Sequence, residues 1–267
     1  MPEGHTIHRM AKDHAKLFRG ETVVVSSPQG RFADGARTLS GAVFHSASAH
    51  GKHLFYRFER LEQPDAFAHI HLGLYGRFWR RTEGTPPTPN CRMRIRSAKA
   101  ILDLSGPTCC EVLDAEQVKA KCATLGPDPL RADGDAALFA ERLARRRIPI
   151  GAALLDQKVI AGLGNIYRAE LLFAHRIDPL TPASALSRAT VQALWDTATW
   201  WLALGVRANR IITVLDEPPR RLPKIARREA VMVYGHARCP ACGGAVETST
   251  VGNRKLYACR QCQTRRQ

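Results

Sequence analysis

The sequence predicts an α+β chain of more than one domain: an opening helix with a β-sandwich, then a helical region, then a four-cysteine β-ribbon. Three observations predict it. Short apolar runs separated by turn residues fill the segment from Glu21 to about Leu113. After Gly126-Pro127-Asp128-Pro129 the apolar period becomes helical. Near the end, Cys239, Cys242, Cys259 and Cys262 form two C-x2-C pairs with sixteen residues between them.

The elements follow in order. Residues 3–18 place Ile7, Met10, Ala11, His14, Leu17 and Phe18 near one helical face, and Gly20 supplies a stop. Strand-like runs cover residues 22–25, 42–46, 53–58, 66–71, 77–81, 91–96 and 100–104, with the turn signals SPQG, ADG, TPPTPN and SGPT between them. Many short strands so punctuated read as a sandwich or barrel. Asp135 is placed to cap a helix running to Arg147, and Pro149 suits the first turn of the next. Residues 154–173 read as two helices broken at Gly162-Leu163-Gly164-Asn165, and a further helix is expected from about Ala189 to Leu204. The domain boundaries expected are 1–120, 126–215 and 231–267, with a hinge near 115–130.

Charge narrows the partners. Of 267 residues, 40 are Lys or Arg against 24 Asp or Glu, a formal net charge of +16. Such a surplus repels itself in a compact state and points to a polyanionic partner, DNA or RNA ahead of a membrane surface. At 45% hydrophobic residues the chain has material for a real core, so whole-chain disorder is excluded. No stretch reaches the roughly 18 apolar residues of a membrane span, and the start lacks the apolar core of a signal peptide. The expectation is a cytoplasmic protein with no membrane association, by default a monomer.

In a cytosolic chain eight cysteines point to metal or free thiols rather than disulfides. Cys91, Cys109, Cys110 and Cys122 are irregularly spaced and read as ordinary buried thiols. The two C-x2-C pairs instead place four thiolates to close a tetrahedron around one Zn2+. A closed four-sulfur site has no open position for water, so this metal would hold the fold and do no chemistry.

Catalysis is then sought at the other end of the chain. Met1 before Pro2 is a favourable context for removal of the initiator, which leaves a free prolyl amine. An α-amino group has a pKa near 8 against about 10.4 for Lys, so roughly a tenth is unprotonated at neutral pH. A prolyl amine is somewhat more basic but keeps most of that advantage. It can attack the anomeric carbon of a sugar and give a cationic iminium that acidifies the next carbon and opens a path to phosphate elimination. Alone, a Met-Pro start establishes nothing.

Its companions decide the matter: PEG at the start, HGKHLF at His50 to Phe55, AGLGN at Ala161 to Asn165, and the ribbon ending C-x2-CQ. With these, the chain resembles the formamidopyrimidine-DNA glycosylase / endonuclease VIII family, in its bacterial endonuclease VIII-like branch, over essentially its whole length. The resemblance implies a β-sandwich joined to a helix-two-turn-helix domain with a zinc ribbon. It implies a bifunctional DNA glycosylase and abasic-site lyase of base excision repair, acting on double-stranded DNA with a damaged base or abasic site.

Residue by residue, the resemblance makes Pro2 the Schiff-base nucleophile and Glu3 the acid at the sugar oxygen, a role that wants a desolvated carboxyl. Lys52 matches the phosphate-contacting lysine of the first elimination. Arg254, five residues before Cys259, matches the ribbon arginine on the lesion's phosphates, where a guanidinium binds bidentately. Asn165, after two glycines, is expected to meet DNA phosphate beside outward-facing helix N-terminal amides. Gly73, Leu74 and Tyr75 resemble the loop that fills the gap left by an extruded base. Arg207, Arg210, Arg220, Arg221, Arg227 and Arg228 are candidates for tracking the backbone.

The chain departs from many relatives at Thr6, where they carry a second acid, and at Thr124, where some carry a base. The segment between Arg210 and Tyr234 is short and basic for the loop that guanine-specific members close over the flipped base. That favours oxidised pyrimidines. The alternatives are an oxidised-guanine glycosylase of the same fold and a non-catalytic zinc-ribbon protein that binds damaged DNA.

Overall fold

The opening helix forms as expected: α1 spans Gly4–Phe18, buries Ile7, Ala11, His14 and Phe18, and is followed by Gly20 at φ +77°. The structure, a computed structural model, describes residues 2–251 and 253–264, so the expected removal of Met1 and the last three residues of the expected 231–267 domain lie outside the described residues. The chain divides into two units. One is Pro2 with Ile7–Thr124, the other Glu3–Thr6 with the chain from Leu125 onward.

The first unit is a sandwich of two antiparallel four-stranded sheets. β1 (Val24–Ser26), β6 (Cys91–Arg96), β7 (Ile101–Ser105) and β5 (Arg77–Arg81) make one sheet in that order. β2 (Val43–His50), β3 (His53–Arg60), β4 (Gln63–His71) and β8 (Cys109–Leu113) make the other. The inward residues of both, among them Phe44, Tyr56, Phe58, Ile70, Met93, Ile95 and Leu104, form one core with Ile7 and Phe18 of α1.

Three elements of this unit escape the sequence reading. The ADG signal is not a turn but the start of α2 (Ala33–Leu39), where the ring of Phe32 lies over Gly35 so closely that a Cβ would meet it at 2.3 Å. Packing of Ala36 and Leu39 into the core overrides the poor helix propensity of glycine. β8 completes the second sheet by pairing with β4. The expected hinge begins with α3 (Ala115–Ala123), whose Asp114 and Gln117 form a reciprocal capping box.

The second unit is helical around Leu171, Leu172, Leu194, Trp201 and their neighbours. Asp135 caps α4 as expected, but α4 ends at Ala144 (Ala136–Ala144). Pro149 precedes a short α5 (Ile150–Ala153). Of the two helices expected across 154–173 only the second exists, α6 (Asn165–Ala174). Residues 155–163 are turns because the Gln157 side chain bonds three of their backbone groups, at Leu155, Gly162 and Leu163. α7 (Arg188–Ala208) is capped by Ser187 and ends at a left-handed Asn209. The final hairpin, β9 (Glu247–Val251) with β10 (Arg254–Ala258), forms the ribbon.

Two histidines of α1 tie folding to pH. His5 meets Tyr167 edge-on, and burial holds its imidazole down at about 4. His14 Nδ1 shares a hydrogen bond with the Tyr56 hydroxyl, and burial holds its imidazole at about 4 as well. Each is neutral when folded and takes up a proton on unfolding below its ordinary 6.5. Their contribution is therefore complete above pH 6.5 and lost as pH falls toward 4, roughly 3 kcal/mol per histidine. Thermal melts across that range should show a steep fall in Tm, shallower for His14→Asn; parallel curves would exclude His14 as a source.

Candidate active site

In the second unit the site is built on the first turn of α6. Gly164, at its N-cap, has no side chain to offer, and the cap comes instead from Glu3, 161 residues earlier. Glu3 Oε2 accepts the Gly164 N–H at 2.8 Å and Oε1 accepts the Ile166 N–H at 2.9 Å, with the Tyr167 N–H at 3.5 Å from Oε2. The carboxyl is fully buried, and both of its oxygens accept backbone N–H groups. Helix N-terminal charge and burial thus meet on one side chain.

Glycines make the approach possible. The Gly4 N–H donates to the Gly162 carbonyl at 2.8 Å, and a Cβ on Gly4 would meet Gly162 Cα at 2.8 Å. A Cβ on Gly164 would lie 2.4 Å from the Glu3 carboxyl carbon. The PEG and AGLGN motifs, distant in sequence, are two halves of one contact. This corrects one expectation: amides at the start of α6 do not all face outward for a phosphate, because Glu3 occupies those of Gly164 and Ile166.

Asn165 is also turned inward. Its Nδ2 donates to the Lys255 carbonyl at 2.8 Å, and its Oδ1 accepts from Arg168 at 2.6 Å. Arg168, fully buried, reaches the carbonyls of Lys255 at 2.9 Å, Gly151 at 3.1 Å and Val251 at 3.2 Å. Burial lowers its guanidinium to about 10, so it stays charged at neutral pH. These bonds hold both ends of the ribbon hairpin and fix the backbone beside Arg254, whose own side chain is exposed. Glu170 holds the entry to the ribbon, accepting from the backbone of Val233 at 2.9 Å and Tyr234 at 2.8 Å and from Thr213 at 2.7 Å. The sequence reading missed Arg168 and Glu170; charged residues inside the otherwise apolar run of α6 were the available signal.

Arg207 and Arg210 bond loop carbonyls: Arg207 those of Pro219 and Arg220, each at 3.2 Å, and Arg210 that of Ile225 at 2.6 Å. They shape the 210–234 segment. Among the departures, the Thr6 hydroxyl lies 3.1 Å from His5 Nε2, and the Thr124 hydroxyl donates to the Lys121 carbonyl.

In the first unit, Pro2 is half-buried and Lys52 sits in the two-residue turn between β2 and β3, where His50 pairs with His53. Gly51 takes φ +57° in that turn. Beside it lie His53 and His71, a registered pair. Burial, then the neighbouring imidazoles, push His53 down to about 3, and burial with the charge of Lys52 lowers His71. The loop after β4 closes through a Gly76 N–H to Leu72 carbonyl bond and lifts Leu74 and Tyr75 to its tip, 46% and 81% exposed. Gly73 has φ +64°, and a Cβ there would strike the Thr108 hydroxyl at 1.8 Å.

The four ribbon cysteines converge, Cys239 Sγ to Cys262 Sγ at 3.7 Å and Cys242 Sγ to Cys259 Sγ at 3.5 Å, with all four within 4.8 Å of one another. Tetrahedral sulfurs about 2.3 Å from zinc stand about 3.8 Å apart, so the set fits a metal ion.

A family model for the formamidopyrimidine-DNA glycosylase N-terminal domain matches residues 1–115, and one for the H2TH domain of that glycosylase matches residues 125–216. The chain belongs to the formamidopyrimidine-DNA glycosylase family. Within the family, it is 45% identical to "Endonuclease 8 1" of Mycobacterium tuberculosis over 272 residues, covering 99% of this chain and 100% of that one. It is 33% identical to "DNA-(apurinic or apyrimidinic site) lyase Nei2" of Mycolicibacterium smegmatis, with 99% of each covered. The fold matches that of Lactococcus lactis Fpg in complex with DNA containing an abasic site, with a TM-score of 0.83, 22% identity and coverage of 98% and 100%. A β-sandwich, an H2TH domain and a cysteine cluster in this order are therefore the family's architecture in this chain. No helix among the described residues is long and apolar enough to cross a membrane.

Proposed function

We infer that this protein is a bifunctional DNA glycosylase and abasic-site lyase of base excision repair, acting on double-stranded DNA that carries a damaged base or an abasic site. Family membership over the whole length supports the class of reaction. The single observation that carries the chemistry is the burial of Glu3 against α6, which anchors the residue bonded to Pro2.

In this reading Met1 is removed and the Pro2 nitrogen attacks C1′ as the damaged base departs. The nitrogen, now cationic, hands its proton to the adjoining Glu3 carboxylate. Glu3 returns it to the sugar ring oxygen, the ring opens and the iminium forms. A carboxylate at the start is what this order requires. Lys52 acts on the first phosphate elimination and Arg254 on the phosphates flanking the lesion, completing β,δ-elimination. Asn165 serves chiefly by fixing the hairpin of Arg254, and Gly73, Leu74 and Tyr75 fill the gap in the duplex.

The cysteine cluster holds one structural Zn2+ and domains follow the 1–120, 126–215 and 231–267 division. The short 210–234 segment, tied down by Arg207 and Arg210, favours oxidised pyrimidines over guanine lesions. The protein works in the cytoplasm on nucleoid DNA.

Borohydride trapping on a duplex with one abasic site tests the reading. The processed wild type should give a covalent adduct, while Pro2→Gly and protein retaining Met1 should give less than about a hundredth of it. A wild type that binds the duplex without trapping would leave the non-catalytic binding protein as the correct description. Excision assays on defined lesions separate pyrimidine from guanine preference.

A further inference from the structure

The second sheet carries a group of ligating side chains that the glycosylase reading does not use. His69 on β4 and Cys109 and Glu111 on β8 share the face that also carries His53 and His71, since His69 is registered with Glu111 and His71 with Cys109. Nδ1 of the buried His69 lies 2.8 Å from Glu111 Oε1 and 3.7 Å from Cys109 Sγ, and the three ligand atoms lie within 4.8 Å of one another. Donors on a tetrahedral zinc, about 2.0 Å away for N or O and 2.3 Å for S, stand roughly 3.3–3.8 Å apart, so small side-chain adjustments close the set on a cation.

We propose that His69, Cys109 and Glu111 form a second metal site, taking a borderline-soft divalent cation such as Zn2+ through Nδ1, Sγ and a carboxylate oxygen, with water in the fourth position. The donor set of one imidazole, one thiolate and one carboxylate selects zinc-like ions over Mg2+ or Ca2+, which prefer all-oxygen shells.

The surroundings supply what such a site needs beyond its three ligands. His69 Nε2 lies 2.8 Å from His53 Nδ1, so the ring is oriented by a hydrogen bond on the nitrogen that does not bind metal. Without metal, the Nδ1–H of His69 donates a hydrogen bond to the acceptor-only Glu111 carboxylate, and Nε2 accepts one from His53 Nδ1–H. With metal on Nδ1, the His69 proton sits on Nε2 and donates to His53 Nδ1, whose own proton moves to its Nε2. The imidazole protons are conserved, and only the Cys109 thiol proton is released. Glu111 is partly exposed and gives the ion an entry path. The ammonium of Lys121, 3.5 Å from Glu111, is the cation that the metal displaces. The same strand row runs from Cys109 through His71 to His53, next to the turn of Lys52.

The test is metal stoichiometry of the full chain. Protein with its ribbon loaded is titrated with Zn2+ and, in parallel, Cd2+, the latter read by its thiolate charge-transfer absorption. The wild type should take up a second equivalent and hold it through gel filtration. Cys109→Ser and Glu111→Gln should each weaken that second equivalent at least tenfold and retain the first, with unchanged circular dichroism. Uptake of one equivalent only by the wild type, or a second equivalent equally tight in Cys109→Ser, would overturn the proposal.

Discussion

Glu3→Gln should lower base excision by about a hundredfold or more while leaving borohydride trapping on a preformed abasic site within about tenfold of wild type. Proton transfer by a positioned side chain is worth roughly 10²–10⁴ in rate. The proton that Glu3 relays is needed when base departure and ring opening are coupled; an abasic sugar is already partly open. The same substitution has a structural cost, because the amide that replaces one oxygen is a donor. One of the Gly164 and Ile166 N–H groups would then face an N–H2 in a fully buried place. An unsatisfied buried donor costs about 1–3 kcal/mol, so Tm should fall too. The two readouts are separable. Lower Tm with full excision would make Glu3 only a helix cap, and lost excision at unchanged Tm would make the cap dispensable. Gly164→Ala approaches the same place from the other side, since its methyl would occupy the space of the Glu3 carboxyl.

That contact also shows where sequence reading stops. α1, the strand runs and the four-cysteine spacing were legible because each is local: a period of 3.6, runs bounded by turn residues, two C-x2-C knuckles. Pro2, Glu3, Lys52 and Arg254 are candidates supplied by motifs rather than by local periodicity. The purpose of the glycines around Glu3 was not legible, since the α6 cap lies 161 residues from the helix it serves. α2 was hidden because the Phe32 ring covering Gly35 is a tertiary fact that local propensity contradicts. The turns at 155–163 were hidden because a single side chain, Gln157, satisfies backbone that would otherwise continue as helix. The cluster of His69, Cys109 and Glu111 is invisible in sequence because strand register, not spacing, assembles it.

Removal of metal from the ribbon should abolish trapping, by at least two orders of magnitude, while leaving most helical circular dichroism in place. The ribbon's own apolar cluster is small: Val233 and Val246 with Ala169 and Phe173 of α6, around the buried Cys239 and Cys259 and edged by Met232, Tyr234 and Tyr257. On the proposed function, so small a cluster would hold together through a bound metal ion, whose binding energy would be folding energy. The helical core around Leu171, Leu194 and Trp201 includes none of the four cysteines and should survive. The exposed Arg254 depends on both supports, because Asn165 and Arg168 grip the adjacent Lys255 carbonyl only if the hairpin exists to be gripped. Chelation, or Cys259→Ser, should therefore act on activity at least as strongly as Arg254→Ala, which removes the guanidinium and leaves the hairpin standing. Re-addition of Zn2+ should restore the chelated wild type but not Cys259→Ser. Metal-free protein that traps abasic DNA at full strength would show that Arg254 is positioned by the α6 clamp alone.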